Sequence, residues 1–260
     1  MTRGDTTLRR TQESAPQGDA STVSVIIPAY NEERNITATL AALVAFLDRQ
    51  AFPYQVIVVD DGSRDRTGDL AEAFSVNHPA VTLIRSDRNH GKGGAVRTGM
   101  LAAAGDFLFF MDADLSYPVA DLEKMLAALK GGADVVIGSR ALAESHMEVR
   151  PPLRRYLAGR IYSLMIQALL FRSIPDTQCG FKGFRREVAR RLFAKLTLEG
   201  FAFDVELLFL VRKFGYRLAM VPMRLTFVRE TSKVRLVAHS VQMFADLVKI
   251  RLNALRGRYG

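Results

Sequence analysis

A single cysteine and no tryptophan occur in the 260 residues of the chain. One cysteine excludes an internal disulfide framework and favours a reducing compartment. That residue, Cys179, reads as a small core side chain rather than a nucleophile. The four histidines form no H-E-x-x-H or similar metal spacing. No apolar run approaches the roughly 20 residues needed to span a bilayer. The first twenty residues, "MTRGDTTLRRTQESAPQGDA", lack an apolar h-region and are expected to be a disordered polar tail rather than a signal peptide. Acidic residues are the minority, 27 against 36 Lys and Arg, for a formal net charge of +9. That balance points to anionic partners, whether nucleotides, an acidic membrane surface or nucleic acid. Few aromatics alternate with the basic residues, so nucleic acid ranks last and is not expected as a partner.

What is present is ample material for a core: 48% of residues are hydrophobic and 24% charged, which fits one large domain or a domain with a tail. From Val23 to Arg140 the pattern repeats strand, loop, helix. "VSVIIP", "QVIVVD", "VTLIRS", "DFLFFMD" and "DVVIGS" are β-branched or aromatic runs of strand length. "EERNITATLAALVAFLDRQ", "RDRTGDLAEAF", "KGGAVRTGMLAAA" and "VADLEKMLAALK" carry apolar residues at helical spacing. This alternation predicts an α/β fold, a mostly parallel central sheet flanked by helices. Ligands of such sheets bind beyond the carboxyl ends of the strands. The strand-end segments 28–32, 60–63, 112–114 and 138–140 are therefore read together.

At the end of the fourth strand, "FLFFMDADLSYP" sets Asp112 and Asp114 one residue apart. Alternate residues of an extended chain point the same way and offer two carboxylates to one hard cation. A solvated turn is the competing reading, and chance alone gives roughly one D-x-D in a chain of this composition. "VVDDGSRDRT" places Asp60 and Asp61 at the end of the second strand, where a carboxylate accepts hydrogen bonds from a base N–H or from ribose hydroxyls; Ser63 or Asp65 would serve as helix cap. "RNHGKGGAVRTG" fits neither G-x-x-x-x-G-K-[ST] nor G-x-G-x-x-G. It leaves a glycine-rich start of a helix, with Lys92 and Gly93 placed for a diphosphate at the helix N-terminus. The alternative is that its glycines serve close packing of helix on sheet.

Taken in order, "VIIPAYNEERNI", "VIVVDDGSRDRT", "NHGKGGAVRTGM" and "FMDADLSYP" resemble the successive motifs of the inverting glycosyltransferases of family 2, which have a GT-A (Rossmann-like) fold. "DTQCGFKGF" and "EGFAFDVELLFLVRKFGY" resemble the dolichyl-phosphate glucosyltransferase and polyprenyl-phosphate mannosyltransferase group, the glucosyl branch more closely. The resemblance runs from residue 23 to about 235. It implies that Pro28, Tyr30 and Glu32 border the nucleoside and that Asp61, supported by Asp60, meets the base. It also implies that Asp112 and Asp114 hold Mg²⁺ or Mn²⁺ and the donor diphosphate, with Ala113 near the ribose and Gln178 as a third metal ligand. Arg140 is then a donor-side or phosphate-side cation. The implied reaction moves a hexose, glucose in preference to mannose, from UDP-glucose or GDP-mannose to a polyprenyl or dolichyl phosphate.

If the acceptor were a hydroxyl, a general base would be needed, and Asp176, Asp204 and Glu206 are the candidates. Asp204 also stands where a helix N-cap is expected. Arg154, Arg155, Arg160, Lys182, Arg229 and Lys233 are candidates to neutralise an acceptor phosphate. Two amphipathic segments, 153–171 and 236–256, would lie in a membrane interface or pack on the sheet. The expected organisation is a tail over 1–20, a catalytic domain over 21–235 and a basic amphipathic helix over 236–260. The expected location is peripheral, at the cytoplasmic face of a membrane, through the lipid surface or a membrane-protein partner. Transfer to a saccharide or small-molecule hydroxyl, and nucleotide-sugar binding without turnover, are the alternatives.

Overall fold

The structure, a computed structural model, describes residues 21–147, 153–171, 174–225 and 236–260. The first half is the expected alternation of β1 (Val23–Ala29), α1 (Ile36–Leu47), β2 (Tyr54–Asp60), α2 (Thr67–Val76), β3 (Val81–Arg85), α3 (Lys92–Ala102), β4 (Phe107–Met111), α4 (Asp121–Lys130) and β5 (Val135–Ser139). Successive residues of a strand face opposite sides of the sheet, and both sides of these strands are apolar. Ile26, Ile57, Val59, Leu108 and Phe110 enter one core cluster; Val25, Ile27, Val56, Val58 and Phe109 enter the other. Helices cover both faces, as such two-sided strands require.

The second half runs β6 (His146–Met147), α5 (Leu153–Leu169), β7 (Phe181–Arg185), α6 (Arg186–Lys195), α7 (Phe203–Lys213), β8 (Leu218–Pro222), β9 (Arg224–Leu225) and α8 (Leu236–Leu255). The main sheet has the order β3-β2-β1-β4-β7-β5-β8. β7 is antiparallel to both neighbours, and the other pairings are parallel. β6 and β9 form a small parallel pair. Periodicity did not identify β7 because "FKGFR" lacks β-branched residues and carries a lysine in its middle. In the sheet, Phe181 and Phe184 enter opposite cores, and Lys182 finds a charged partner described below.

α5 and α8 pack on each other, and the periodicity located their apolar stripes correctly. The stripes face outward. Leu153, Leu157, Ile161 and Leu164 are 71, 50, 60 and 60% exposed, and Phe244, Val248, Leu252 and Leu255 are 47, 38, 42 and 75% exposed. The inward residues are Tyr162 and Ile166 on α5 and Leu247 and Ile250 on α8. α8 is thus part of the core on one side, and Tyr259 beyond it is fully buried.

Gly183 of β7 pairs with Phe109 of β4. A Cβ there would stand 2.3 Å from the Phe109 ring and 2.9 Å from Val136 Cγ1. Gly183→Ala is therefore expected to destabilise the protein by about 2–3 kcal/mol through overpacking, read as a lower urea midpoint at unchanged slope.

Candidate active site

The carboxyl ends of β1, β2 and β3 surround a cavity of about 430 Å³, lined by Tyr30, Asp60, Gly62, Ser63, Arg64, Arg85, Ser86, Asp87, Arg88 and Asn89. Its walls are two loops sewn together by side chains that bond to the other loop's backbone. Asn31 N–H donates to Ser63 Oγ (2.9 Å), Arg64 N–H to Asn31 Oδ1 (2.8 Å), and Glu32 N–H to Thr67 Oγ1 (2.6 Å). Of the residues expected at the nucleoside, Tyr30 and Asp60 line the cavity, whereas Pro28 and Glu32 stand behind it in β1 and its following loop. Asp61 is only 2% exposed. Its carboxylate accepts the backbone N–H groups of His90 (2.8 Å) and Gly91 (2.9 Å). Burial raises its carboxyl above the ordinary value, and those two amides draw it back down. Asp61, expected at the base, thus fixes the turn before α3, and Asp60 is the carboxylate on the cavity wall. Arg64, Arg88 and Asn89 also line it; they lie within "VVDDGSRDRT" and "RNHGKGGAVRTG" but were not among the expected site residues.

Asp112 follows β4, with its side chain 31% exposed, and Lys92 Nζ, at the start of α3, lies 2.6 Å from Asp112 Oδ1. Burial alone would lower the Lys92 ammonium, but Asp112, Asp204 and Asp114 outweigh it and hold it above its ordinary value. Asp114 Oδ1 accepts the N–H and hydroxyl of Ser116 (3.1 and 2.6 Å). Ala113 between them is buried, and Thr39 donates to its carbonyl at 2.8 Å. The turn is thereby anchored from below while the carboxylates stay at the surface. Gly180 backs onto Asp112: a Cβ there would lie 2.0 Å from Asp112 Oδ2. Gln178 sits two residues earlier in the same segment and is half-buried. Hard carboxylate oxygens that already draw an ammonium to 2.6 Å are a donor set suited to Mg²⁺ or Mn²⁺.

The remaining charged residues are committed to one another. Arg140 Nε and Nη2 donate to Asp176 Oδ2 (2.7 Å) and Oδ1 (2.8 Å), and the Arg140 backbone N–H adds a third bond at 2.9 Å. Burial would raise the Asp176 carboxyl, but the guanidinium prevails and holds it below its ordinary value. A bidentate carboxylate of lowered pKa is a poor base, and its partner is not a free cation. Lys182, expected at an acceptor phosphate, is fully buried and donates to Asp204 Oδ1 and the Cys179 carbonyl, both at 2.6 Å. It cannot reach a lipid phosphate from there. Asp204 does not cap α7, whose N-cap is Ala202. Burial raises its carboxyl against the pull of Lys182 and Lys92. Glu206, also fully buried, accepts from Thr197 N–H and hydroxyl, Leu198 N–H and Tyr259 hydroxyl at 2.6–3.0 Å.

Two amides in the first turn of α3 are occupied as well. Gly93 and Gly94 N–H donate to the Glu199 carbonyl at 2.7 and 3.2 Å, so Gly93 serves close packing and not an anion. Cys179 is buried, with its thiol pushed up to about 11 by burial, in keeping with a core residue. Arg160 is exposed on α5. Arg229 and Lys233 lie outside the described residues, as do the side chains of Arg154 and Arg155.

Comparison with known proteins places this geometry in context. The model of Glycosyl transferase family 2 matches residues 24–193. Dolichyl-phosphate beta-glucosyltransferase of Drosophila melanogaster is 39% identical over 250 residues, which cover 91% of this chain and 76% of that protein. The Homo sapiens protein of the same name is 34% identical over 91% of this chain and 77% of its own length. Among solved structures, glucosyl-3-phosphoglycerate synthase from Mycobacterium tuberculosis in complex with Mn²⁺, UDP and glucosyl-3-phosphoglycerate superposes with a TM-score of 0.68. It is 21% identical over 94% of this chain and 86% of that one, which shows a shared GT-A fold.

The buried pair behind the site makes a prediction independent of any activity. Lys182→Met leaves the Asp204 carboxylate buried without its counter-charge and is expected to cost about 3–5 kcal/mol. The double variant Lys182→Met/Asp204→Leu should recover much of that loss in denaturant titrations; equal instability of the two would contradict the pairing as the cause.

Proposed function

The chain belongs to glycosyl transferase family 2 and is a nucleotide-sugar-dependent glycosyltransferase, and we propose that it moves glucose from UDP-glucose to a dolichyl or polyprenyl phosphate, with inversion at the anomeric carbon. The observation that carries the acceptor assignment is the commitment of the three carboxylates that could have acted as base. Asp176 is paired with Arg140, Asp204 with Lys182, and Glu206 is saturated by four donors. A hydroxyl acceptor needs its proton removed. A phosphate monoester, whose second pKa is about 6, arrives with about −1.5 to −2 of charge and needs only positioning. The names of the relatives, each a dolichyl-phosphate beta-glucosyltransferase, support the same acceptor and sugar.

In this reading the cavity beside Tyr30 and Asp60 takes the nucleoside, with Arg64 and Arg88 at its wall. Asp112 and Asp114 hold a divalent cation, and Gln178 approaches from the segment that Gly180 presses onto Asp112. When bound, that cation supplies Lewis-acid stabilisation of the leaving diphosphate. Lys92 places its ammonium at the same phosphates. Arg140 keeps Asp176, and with it the 176–180 segment, against the end of β5.

The acceptor lipid requires a surface, and the outward stripes of α5 and α8 supply one. Their eight exposed apolar side chains are flanked by exposed Arg160, Lys249, Arg251, Arg256 and Arg258. Basic residues near an anionic leaflet contribute about 1 kcal/mol each, and the apolar side chains add burial in the interface. No helix among the described residues is long and apolar enough to cross a membrane.

With UDP-glucose, Mn²⁺ and dolichyl phosphate, the protein should form a glucosylated lipid. Asp114→Ala should lower the rate by about 10²-fold or more with an unchanged circular dichroism spectrum. The rate should rise as pH passes about 6, where the acceptor phosphate loses its second proton, and then level off. Transfer to soluble sugars without lipid would sink the acceptor assignment.

Replacing Leu157, Ile161, Phe244 and Leu252 together by Gln should weaken flotation with vesicles containing anionic lipid by about tenfold or more. These positions are exposed, so folding is spared. Unchanged flotation would assign the face to a membrane-protein partner instead.

A further inference from the structure

We propose that Lys92 and the divalent cation compete for Asp112, and that the donor's diphosphate relieves the competition by taking the displaced ammonium. The inference rests on the reading of Asp112 and Asp114 as the cation site, and it adds an order of assembly that this reading does not contain.

The contact itself is close. Lys92 Nζ lies 2.6 Å from Asp112 Oδ1, at side-chain exposures of 18 and 31%. An ammonium at that distance occupies the direction from which a metal ion would approach the oxygen. A second cation at the same oxygen is opposed, since like charges a few ångströms apart repel in a partly desolvated site. The ammonium is also held by its surroundings: Asp112, Asp204 and Asp114 all contribute attraction.

Its alternatives are poor once it leaves Asp112. Asp204 is already neutralised by Lys182 at 2.6 Å, and Asp114 belongs to the same cation site. Retreat of the helix is blocked, because Gly93 and Gly94 are bonded to the Glu199 carbonyl and the turn before them is bonded to Asp61. The backbone of Lys92 is thus fixed while its side chain is left with unmet charge. A nucleoside diphosphate that reaches the cation brings oxygens that satisfy that charge. The cation alone must therefore bind weakly, and the nucleotide must strengthen its binding. By linkage the cation strengthens nucleotide binding by the same factor. Such coupling would keep Asp112 closed by the protein's own lysine until the donor is present.

The test is Mn²⁺ affinity, read from the electron paramagnetic resonance signal of the free ion, with and without saturating UDP. Without UDP, Lys92→Met should bind Mn²⁺ about tenfold more tightly than the wild type. With UDP the difference should vanish or reverse, because the wild-type lysine has then moved to the phosphates. Arg97→Gln is the charge control. It removes a cation from the same helix that forms no ion pair among the described residues, and it should change Mn²⁺ affinity by less than about twofold. Lys92→Gln serves equally should the Met variant fail to fold. Wild-type affinity in the Lys92 variants without UDP, or equal tightening by Arg97→Gln, overturns the competition. Failure of the wild type to bind Mn²⁺ even with UDP overturns the cation site itself, and with it the inference.

Discussion

A buried ammonium is among the least favourable groups that a protein core can hold, and Lys182 is one in the middle of the central sheet. It is tolerated because three partners converge on it: the Asp204 carboxylate, the Cys179 carbonyl and the face of Phe110 at 5.4 Å. That pairing ties β7 to the start of α7 and lets an antiparallel strand sit between β4 and β5. Much of the site follows from the insertion. Because β7 runs against its neighbours, the segment leading into it crosses their carboxyl ends. Asp176 there meets Arg140 at the end of β5, and Gly180 meets Asp112 at the end of β4. The proposed cation site thus depends on the placement of one strand, which the Lys182–Asp204 pair helps to hold.

A second brace holds the other wall. Glu206 gathers Tyr259, Thr197 and Leu198, and the adjoining Glu199 carbonyl fixes the first amides of α3. Asn253 of α8 joins through Thr197 at 3.0 Å. The penultimate turn of the chain is thus connected by a short series of hydrogen bonds to the helix that carries Lys92. Glu206 is fully buried and each of its donors is backbone or hydroxyl, so it behaves as a structural hub in a low-dielectric setting where such networks rigidify. This is also why Gly93 and Gly94, in a glycine-rich segment that looks suited to a phosphate, have their amides already bonded.

The alternation of strands and helices was legible because each strand in the first half is apolar on both faces and each helix has a clear period. Asp112 and Asp114 were legible as a motif in order, not as a spacing. The commitments of the other charged residues were not legible. Asp176 and Arg140 are 36 residues apart, and Asp204 and Lys182 are 22 apart. A sequence shows that a carboxylate is present, but its role depends on which partner the fold delivers. β7 was missed for a related reason, since its lysine argues against a buried strand until Asp204 is placed beside it. On α5 and α8 the periodicity located the stripe but not its direction. An apolar stripe at helical spacing is the same whether it faces a core or a lipid, and only packing through Tyr162, Ile166, Leu247 and Ile250 shows that the stripe is left outside.

These two lessons bear jointly on the acceptor. With Asp176 and Asp204 paired to Arg140 and Lys182, and Glu206 held by amides and hydroxyls, the three candidate bases leave the site little means of removing a proton. The nucleophile best matched to it carries its own negative charge. The exposed apolar faces of α5 and α8, with basic residues beside them, match the proposed lipid surface, apolar within and anionic at its face. A phosphate at the end of a long isoprenoid chain satisfies both demands with one molecule: its charge answers the site, and its tail lies in the medium that the two helices fit. The cations nearest the core, Lys182 and Arg140, are bound to Asp204 and Asp176 and so hold the segments that carry the strand-end residues.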